Sequence, residues 1–156
     1  MTSGNGAFGG PVLAQDQGAR IIVSTGAARF EIRKSGFNLL DRVVVGSDES
    51  VAPHTGGGVI MTSAGTRFES GLDPASDVAI EDNGPVAAVV RARGVLRSAT
   101  GAALVEYTVR MHFARQNARC RMFVTLRNAN LAALRAPTFD AAWCELPFSW
   151  TANRSL

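Results

Sequence analysis

Residues Pro85 to Asn130, PVAAVVRARGVLRSATGAALVEYTVRMHFARQNARCRMFVTLRNAN, decide the fold. Three apolar runs of strand length alternate with two short polar turns, which is the pattern of an antiparallel meander. Successive side chains on a strand point to opposite faces, so each run divides by parity. Val86, Ala88, Val90, Ala92 and Leu96 share one side of the first run, and Arg91, Arg93 and Arg97 alternate with them. The second run sets Val105, Tyr107, Val109, Met111 and Phe113 against Glu106, Thr108, Arg110 and His112. The third sets Cys120, Met122, Val124 and Leu126 against Arg119, Arg121, Thr125 and Arg127. One face of this sheet is expected to be oily and the other rich in arginine.

The turns constrain how the runs pair. A four-residue loop, Ser98 to Gly101, sets Arg97 opposite Ala102, Arg93 opposite Glu106 and Arg91 opposite Thr108, and a slip by one residue would bury the arginines. The second turn lies near Gln116 and Asn117 and brings Arg110 and His112 towards Arg119 or Arg121. Glu106 is the one carboxylate on these three runs. Like charges at cross-strand positions cost up to ~1 kcal/mol each. The arginine face is therefore a solvated surface, a contact for another domain, or a site for an anion.

Outside the meander, 156 residues with 46% hydrophobic and 19% charged content suit one globular domain. Lys34 is the only lysine among the 16 basic residues of a chain with net charge +3. Residues 1–18 are Gly-rich and expected to be flexible, and they carry no basic segment or apolar core of a signal peptide. No apolar run approaches the ~20 residues of a membrane-spanning helix. The compartment stays open, with an extracellular or periplasmic location fitting if the chain is a piece of a longer protein.

Residues 19–156 read as a β-sandwich domain. Expected strands are Arg20 to Ser24, Ala28 to Arg33, Leu39 to Val45, Val59 to Thr62, Thr66 to Ser70 and Asp77 to Asp82, with Ser47 to Gly58 as loop. Short strands punctuated by turn residues point to an all-β, antiparallel two-sheet sandwich rather than to βαβ units. A short helix is expected around Leu131 to Arg135, and alternation resumes from Phe139 to Trp150. Cys120 and Cys144 read as two small buried hydrophobes rather than a disulfide. Two cysteines cannot close a zinc site, and His54 and His112 stand in unrelated contexts, so neither metal nor cofactor is expected. Gly56, Gly57 and Gly58 lack the lysine and hydroxyl of a phosphate loop and read as plain loop. Trp143 and Trp150 could stack on sugars but read better as packing, and the Asn153, Arg154, Ser155 triplet is a weak glycosylation signal.

The segments VSTGAARFEIRKSGFNLLDRVVV (Val23 to Val45), IEDNGPVAAVVRARGVL (Ile80 to Leu96) and LVEYTVRMHFARQNARCRMFVTLRN (Leu104 to Asn128) resemble the central β-sandwich of the exo-type rhamnogalacturonan lyases, the YetA-like proteins. The resemblance runs from about Arg20 to Trp150, and its short motifs are shared in rhythm with the supersandwich domains of other lyases and of galactose mutarotases. It implies one module of a multidomain enzyme that cleaves pectic rhamnogalacturonan by β-elimination, beside an α/α-barrel that this chain lacks. No catalytic residue is carried over from it.

Residues and resemblance meet at the arginine face. Neutralising a uronate carboxylate is a requirement of β-elimination, and arginine is a natural donor for it. Arg91, Arg93, Arg110, Arg119 and Arg121, with Glu106 among them, are the candidate substrate-binding residues, and His112 is the available proton acceptor. The implied partners are an acidic oligosaccharide or polysaccharide and the adjoining domains of the same protein, with neither nucleic acid nor membrane. Two other readings are a structural module whose basic face docks a helical catalytic domain, and a stand-alone mutarotase-like domain.

Overall fold

The computed structural model describes residues 10–53, 56–128 and 138–148. Two antiparallel sheets form an all-β sandwich, one of them curled into a half-barrel. The first sheet is β1 (Ala14–Asp16), β2 (Arg20–Ser24), β3 (Ala28–Arg33), β4 (Arg42–Val45) and β5 (Asp48–Val51), neighbours in chain order. The second holds β6 (Gly58–Ser63), β7 (Thr66–Glu69), β8 (Asp77–Asn83), β9 (Ala87–Arg97), β10 (Ala103–Ala114), β11 (Cys120–Arg127) and β12 (Ala141–Glu145). Its order is β11, β10, β9, β7, β6, β12, and β8 pairs with β9 along the edge that β9 also offers to β7.

The parity of the meander places the core. Val105, Tyr107, Val109, Met111 and Phe113 of β10 are buried, as are Ala88, Val90, Ala92 and Leu96 of β9. They pack against Ile21, Val23, Phe30 and Ile32 of the first sheet. The rings of Phe30 and Phe113 meet across the layers with centroids 4.9 Å apart. Each of the buried Val, Leu, Ile, Phe and Met side chains among them contributes about 1.5–3 kcal/mol relative to exposure. Val86 departs from the pattern, being exposed at the turn before β9.

The first strand lies inside the segment 1–18 expected to be flexible. Leu13 and Ala14 are buried, and the Asn83 side chain stands in for a neighbouring strand. Ala14 N–H donates to Asn83 Oδ1 (3.0 Å) and Asn83 Nδ2 donates to Ala14 O (2.8 Å). Arg115 adds a donor to Pro11 O at 2.8 Å and another to Pro85 O. A backbone paired through a distant side chain leaves no local sequence pattern.

Other boundaries moved for physical reasons. Leu39 and Leu40, expected to open a strand, are buried in a loop, and Leu39 has φ 72°. The supposed loop from Ser47 contains β5, a polar strand at a sheet edge. Among the described residues from Phe139 to Phe148, Ala141–Glu145 form the one strand, and its residues are exposed. Cys144 is accordingly exposed rather than buried, and Cys120 is half-buried with its thiol pushed by burial up to about 12. Both thiols are free, on strands at opposite ends of the sheet order. Gly57 and Gly58 do more than loop: a Cβ on Gly57 would lie 2.5 Å from Glu145 O, and one on Gly58 would lie 2.6 Å from Ser70 Oγ. The expected helix at Leu131 to Arg135, His54, Trp150 and the Asn153 triplet lie outside the described residues.

A buried carboxylate sits on the outer side of the first sheet. Glu31 is 2% exposed and accepts from Arg20 Nη1 at 2.6 Å and Arg29 Nε at 3.3 Å. Burial pushes its carboxyl up, but the hydrogen bonds from Arg20 and Arg29 outweigh it and hold it below the usual range. A depressed carboxylate stabilises the fold above its unfolded pKa, and that stability is lost as pH falls through its folded value. Glu31→Gln is thus expected to cost about 2 kcal/mol at neutral pH. In urea titrations the gap between the two proteins should close as pH falls through the lowered folded value of Glu31; a gap independent of pH would refute the assignment.

Candidate functional site

The outer face of the meander is built by pairing register. The β9 to β10 loop spans five residues, closed by Ser98 N–H to Ala102 O and by Gly101 with φ 85°. Arg97 therefore faces Ala103 rather than Ala102, and a bulge between Ala103 and Glu106 shifts the pairing again. Arg91 lies opposite Arg110, Arg93 opposite Thr108, and Glu106 opposite Val95, in place of the expected Arg91 with Thr108 and Arg93 with Glu106. The total shift is even, so every side chain keeps its face. Across β11, His112 meets Arg121, Arg110 meets Phe123, Thr108 meets Thr125 and Glu106 meets Arg127.

Two cations facing each other on adjacent strands need compensation, and β8 supplies it. Asp77 pairs in register with Arg93, and Glu81 is the bulge residue between Ile80 and Asp82. Asp77 Oδ2 lies 3.0 Å from both Arg91 and Arg93. Glu81 takes both donors of Arg110, at 2.6 and 3.0 Å. The Arg93 hydrogen bond holds Asp77 below the usual carboxylate range, and the Arg110 hydrogen bond does the same for Glu81. Arg127 pairs with Glu106 at 2.5 Å. Glu106 is therefore not the only acid on this face. The missed signal was the Asn83, Gly84 turn: read as a hairpin, it puts β8 beside β9 with Asp77 and Glu81 on the arginine side.

Arg119 and Arg121 differ from the others. Both are exposed, and neither side chain has a carboxylate partner among the described residues. Beside them His112 and Phe123 meet edge to face, with centroids 5.2 Å apart and planes at 80°. Phe123 shares the parity of the arginines and is accordingly 53% exposed.

Two clefts occupy this face. One of about 590 Å³ is lined by Arg93, Arg110 and Arg127, the carboxylates Asp77 and Glu106, and a floor that includes Thr108 and Thr125. The other, of about 800 Å³, is lined by His112, Asn117, Arg119, Arg121 and Phe123. They adjoin at the rung where Arg110 faces Phe123. The seven residues expected to form a site thus share one face but divide into an ion-paired group, Arg91, Arg93, Glu106 and Arg110, and an unpaired one, Arg119 and Arg121 with His112. Asn117, Phe123, Thr125 and Arg127 join them without having been singled out.

Support for this face comes from a buried brace behind it. Asp73 accepts from Val95 N (2.8 Å), Ala75 N (3.2 Å) and Arg97 Nε (3.3 Å). Tyr107 lies against it, its ring stacked on Phe37 at 5.9 Å. Burial raises the Tyr107 phenol well above its usual value, the charge of Asp73 adds to that, and Ser76 pulls weakly the other way. The hydroxyl lies close to Ser76 without completing a hydrogen bond of acceptable geometry. Elsewhere, Arg67 covers the Trp143 ring at 5.6 Å, which leaves that tryptophan less free to stack on a sugar. Among the described residues no group of three or more His, Cys, Asp or Glu side chains gathers where a metal ion could sit.

A family model described as the PcRGLX-like protein central beta sandwich domain matches residues 12–130, which span β1 to β11. The chain belongs to this family. The PcRGLX-like proteins are related to rhamnogalacturonan lyases. Both clefts of this PcRGLX-like sandwich fall within the matched residues, whereas β12 falls outside them. No curated protein matches the chain.

Proposed function

We propose that this chain is the central sandwich module of an exo-type, YetA-like rhamnogalacturonan lyase and that its arginine face binds the acidic pectic chain. The observation that carries the reading is the pair Arg119 and Arg121, exposed and without acid partners among the described residues, beside an exposed aromatic ring. A guanidinium already bound to Asp77, Glu81 or Glu106 has little to offer a uronate. A free one forms charge-assisted bonds with it. Phe123 offers an apolar surface to the C–H face of a sugar ring, and His112, across from Arg121, offers a hydrogen-bonding group beside it.

The test is isothermal titration with oligosaccharides that contain galacturonate. Binding is expected at millimolar ligand or below, and Arg121→Ala should weaken it about tenfold, the loss of one hydrogen bond to a charged group. Absence of heat, or an Arg119→Ala, Arg121→Ala protein that binds as well as the parent, would sink the reading.

A second reading, a module that docks an adjoining helical domain, is favoured by bare apolar surface. Val124 and Leu126 lie on the core side of β11, yet each is 38% exposed. Patches of this kind mark interaction surfaces. A chain that binds no sugar but takes up an apolar dye and self-associates would move the weight to docking.

A further inference from the structure

β11 ends one side of the second sheet and is bonded to β10 alone, so the backbone groups along its other edge have no strand partner among the described residues. An open strand templates further pairing unless brevity, proline or an inward-pointing charge blocks it. β11 has eight residues, no proline and no charge on its core side, which carries Cys120, Met122, Val124 and Leu126. Both of its faces keep bare apolar side chains: Phe123 is 53% exposed on the outside, and Val124 and Leu126 are each 38% exposed on the inside.

The sequence of this strand suits a copy of itself. In an antiparallel pair related by a two-fold axis, a strand meets its own residues in reverse, and facing residues lie on the same side of the sheet. The axis therefore passes through a residue. Centred on Phe123, Cys120 faces Leu126, Arg121 faces Thr125 and Met122 faces Val124 of the other copy. Every core-side residue in the overlap then has an apolar neighbour, and the two Phe123 rings form an aromatic cross-strand pair. Centred on Val124, Arg121 would instead face Arg127, and like charges directly opposite are destabilising. Centres further from the middle overlap fewer residues.

Charge favours the same register. One step before the strand, Arg119 has no carboxylate partner among the described residues and would face Arg127 of the other copy, which already carries Glu106. Both bonds from Arg127 fall on Glu106 Oε2, at 2.9 and 2.5 Å, so Oε1 stays open. Arg119 and that Glu106 would stand two strands apart, about 10 Å between backbones, a gap that the two side chains span together. Symmetry makes the contact twice.

We propose that β11 is a self-pairing edge: two copies of this chain join β11 to β11 about an axis at Phe123, giving a symmetric dimer with one continuous sheet and Arg119 of each copy on Glu106 of the other. Pairing of this kind leaves the outer face open and does not depend on sugar binding.

Sedimentation velocity of the 156-residue chain, from about 1 to 100 µM, is expected to show monomer and dimer in exchange with a Kd on the order of 10 µM, the strength of a small interface. Phe123→Lys should weaken the dimer about 30-fold or more by setting two ammonium groups on the axis. Glu106→Gln should weaken it about threefold, the loss of two exposed ion pairs. Circular dichroism checks that each variant is folded. In a Cys144→Ser background, mild oxidation of Phe123→Cys should give a disulfide-linked dimer, because facing strand residues lie within disulfide reach, and Thr125→Cys, opposite Arg121, should not. A chain that stays monomeric at about 100 µM, self-association indifferent to Phe123→Lys, or crosslinking of Thr125→Cys as readily as of Phe123→Cys overturns the pairing.

Discussion

Asp73→Ala is expected to cost about 3–5 kcal/mol, the range for removing one partner from a buried charged network. The carboxylate is 2% exposed and holds two backbone N–H groups, of Ala75 and Val95, besides Arg97. With alanine in place these donors lose their acceptor where water has little access, and each unmet group carries its own penalty. The position also matters for the sheet as a whole. Arg97 faces Glu69 in the single register pair between β7 and β9, so the brace lies where the meander joins the other half of the second sheet. Urea titration should show a lowered midpoint with loss of the whole transition, and Asp73→Asn should fall between the two proteins because it keeps one acceptor oxygen. A loss below about 1 kcal/mol for the alanine variant, the size of an ordinary neutral hydrogen bond, would show that the strands do not lean on this carboxylate.

Gly94→Ala should be nearly as damaging, at about 3 kcal/mol, although it adds only one methyl group. A Cβ at this position would lie 2.4 Å from Asp73 Oδ2, 2.7 Å from the Tyr107 hydroxyl and 2.9 Å from Tyr107 Cε1. Neither neighbour can easily move. Asp73 is fixed by its three donors, and Tyr107 is wedged against Phe37 with ring planes 9° apart. Tyr107→Phe removes a hydroxyl that has no hydrogen bond of acceptable geometry, so alone it should be close to neutral. Combined with Gly94→Ala it should restore about 1 kcal/mol through coupling between residues in contact. Strict additivity in that double-mutant cycle would mean that the clash is borne elsewhere.

How far the sequence could be read depended on whether a feature was written in one strand or shared between distant ones. The alternation of Tyr107, Val109, Met111 and Phe113 with Glu106, Thr108, Arg110 and His112 is a local property, and the buried and exposed faces of β10 follow it. Loop length and bulges are local too, but a four-residue and a five-residue turn at Ser98 differ by hydrogen bonds that composition does not reveal. Parity survived because the two errors of register summed to an even shift. Compensation of Arg91, Arg93 and Arg110 was invisible to a count restricted to three strands, since Asp77 and Glu81 arrive from a fourth. Exposure of β11 and β12 was equally hidden. Alternation marks a face that could be covered, and Val124, Leu126 and Cys144 lie where the sandwich covers that face incompletely or not at all. The division of the arginines into bound and unbound sets thus emerges only from the assembled sheet.

The Asn83 clamp on Ala14 has a chemical consequence. Asn83 is followed by Gly84, the dipeptide in which the next backbone nitrogen most readily attacks the side-chain amide and expels ammonia. In the folded chain that nitrogen is occupied, donating to Ala87 O at 2.9 Å, while the amide is held between the donor and acceptor of Ala14. Folding therefore shelters the very group on which the first strand hangs. Once deamidated, the side chain keeps oxygens for the Ala14 N–H but has no donor left for the Ala14 carbonyl, so prolonged opening of this corner would leave a covalent scar that refolding cannot erase.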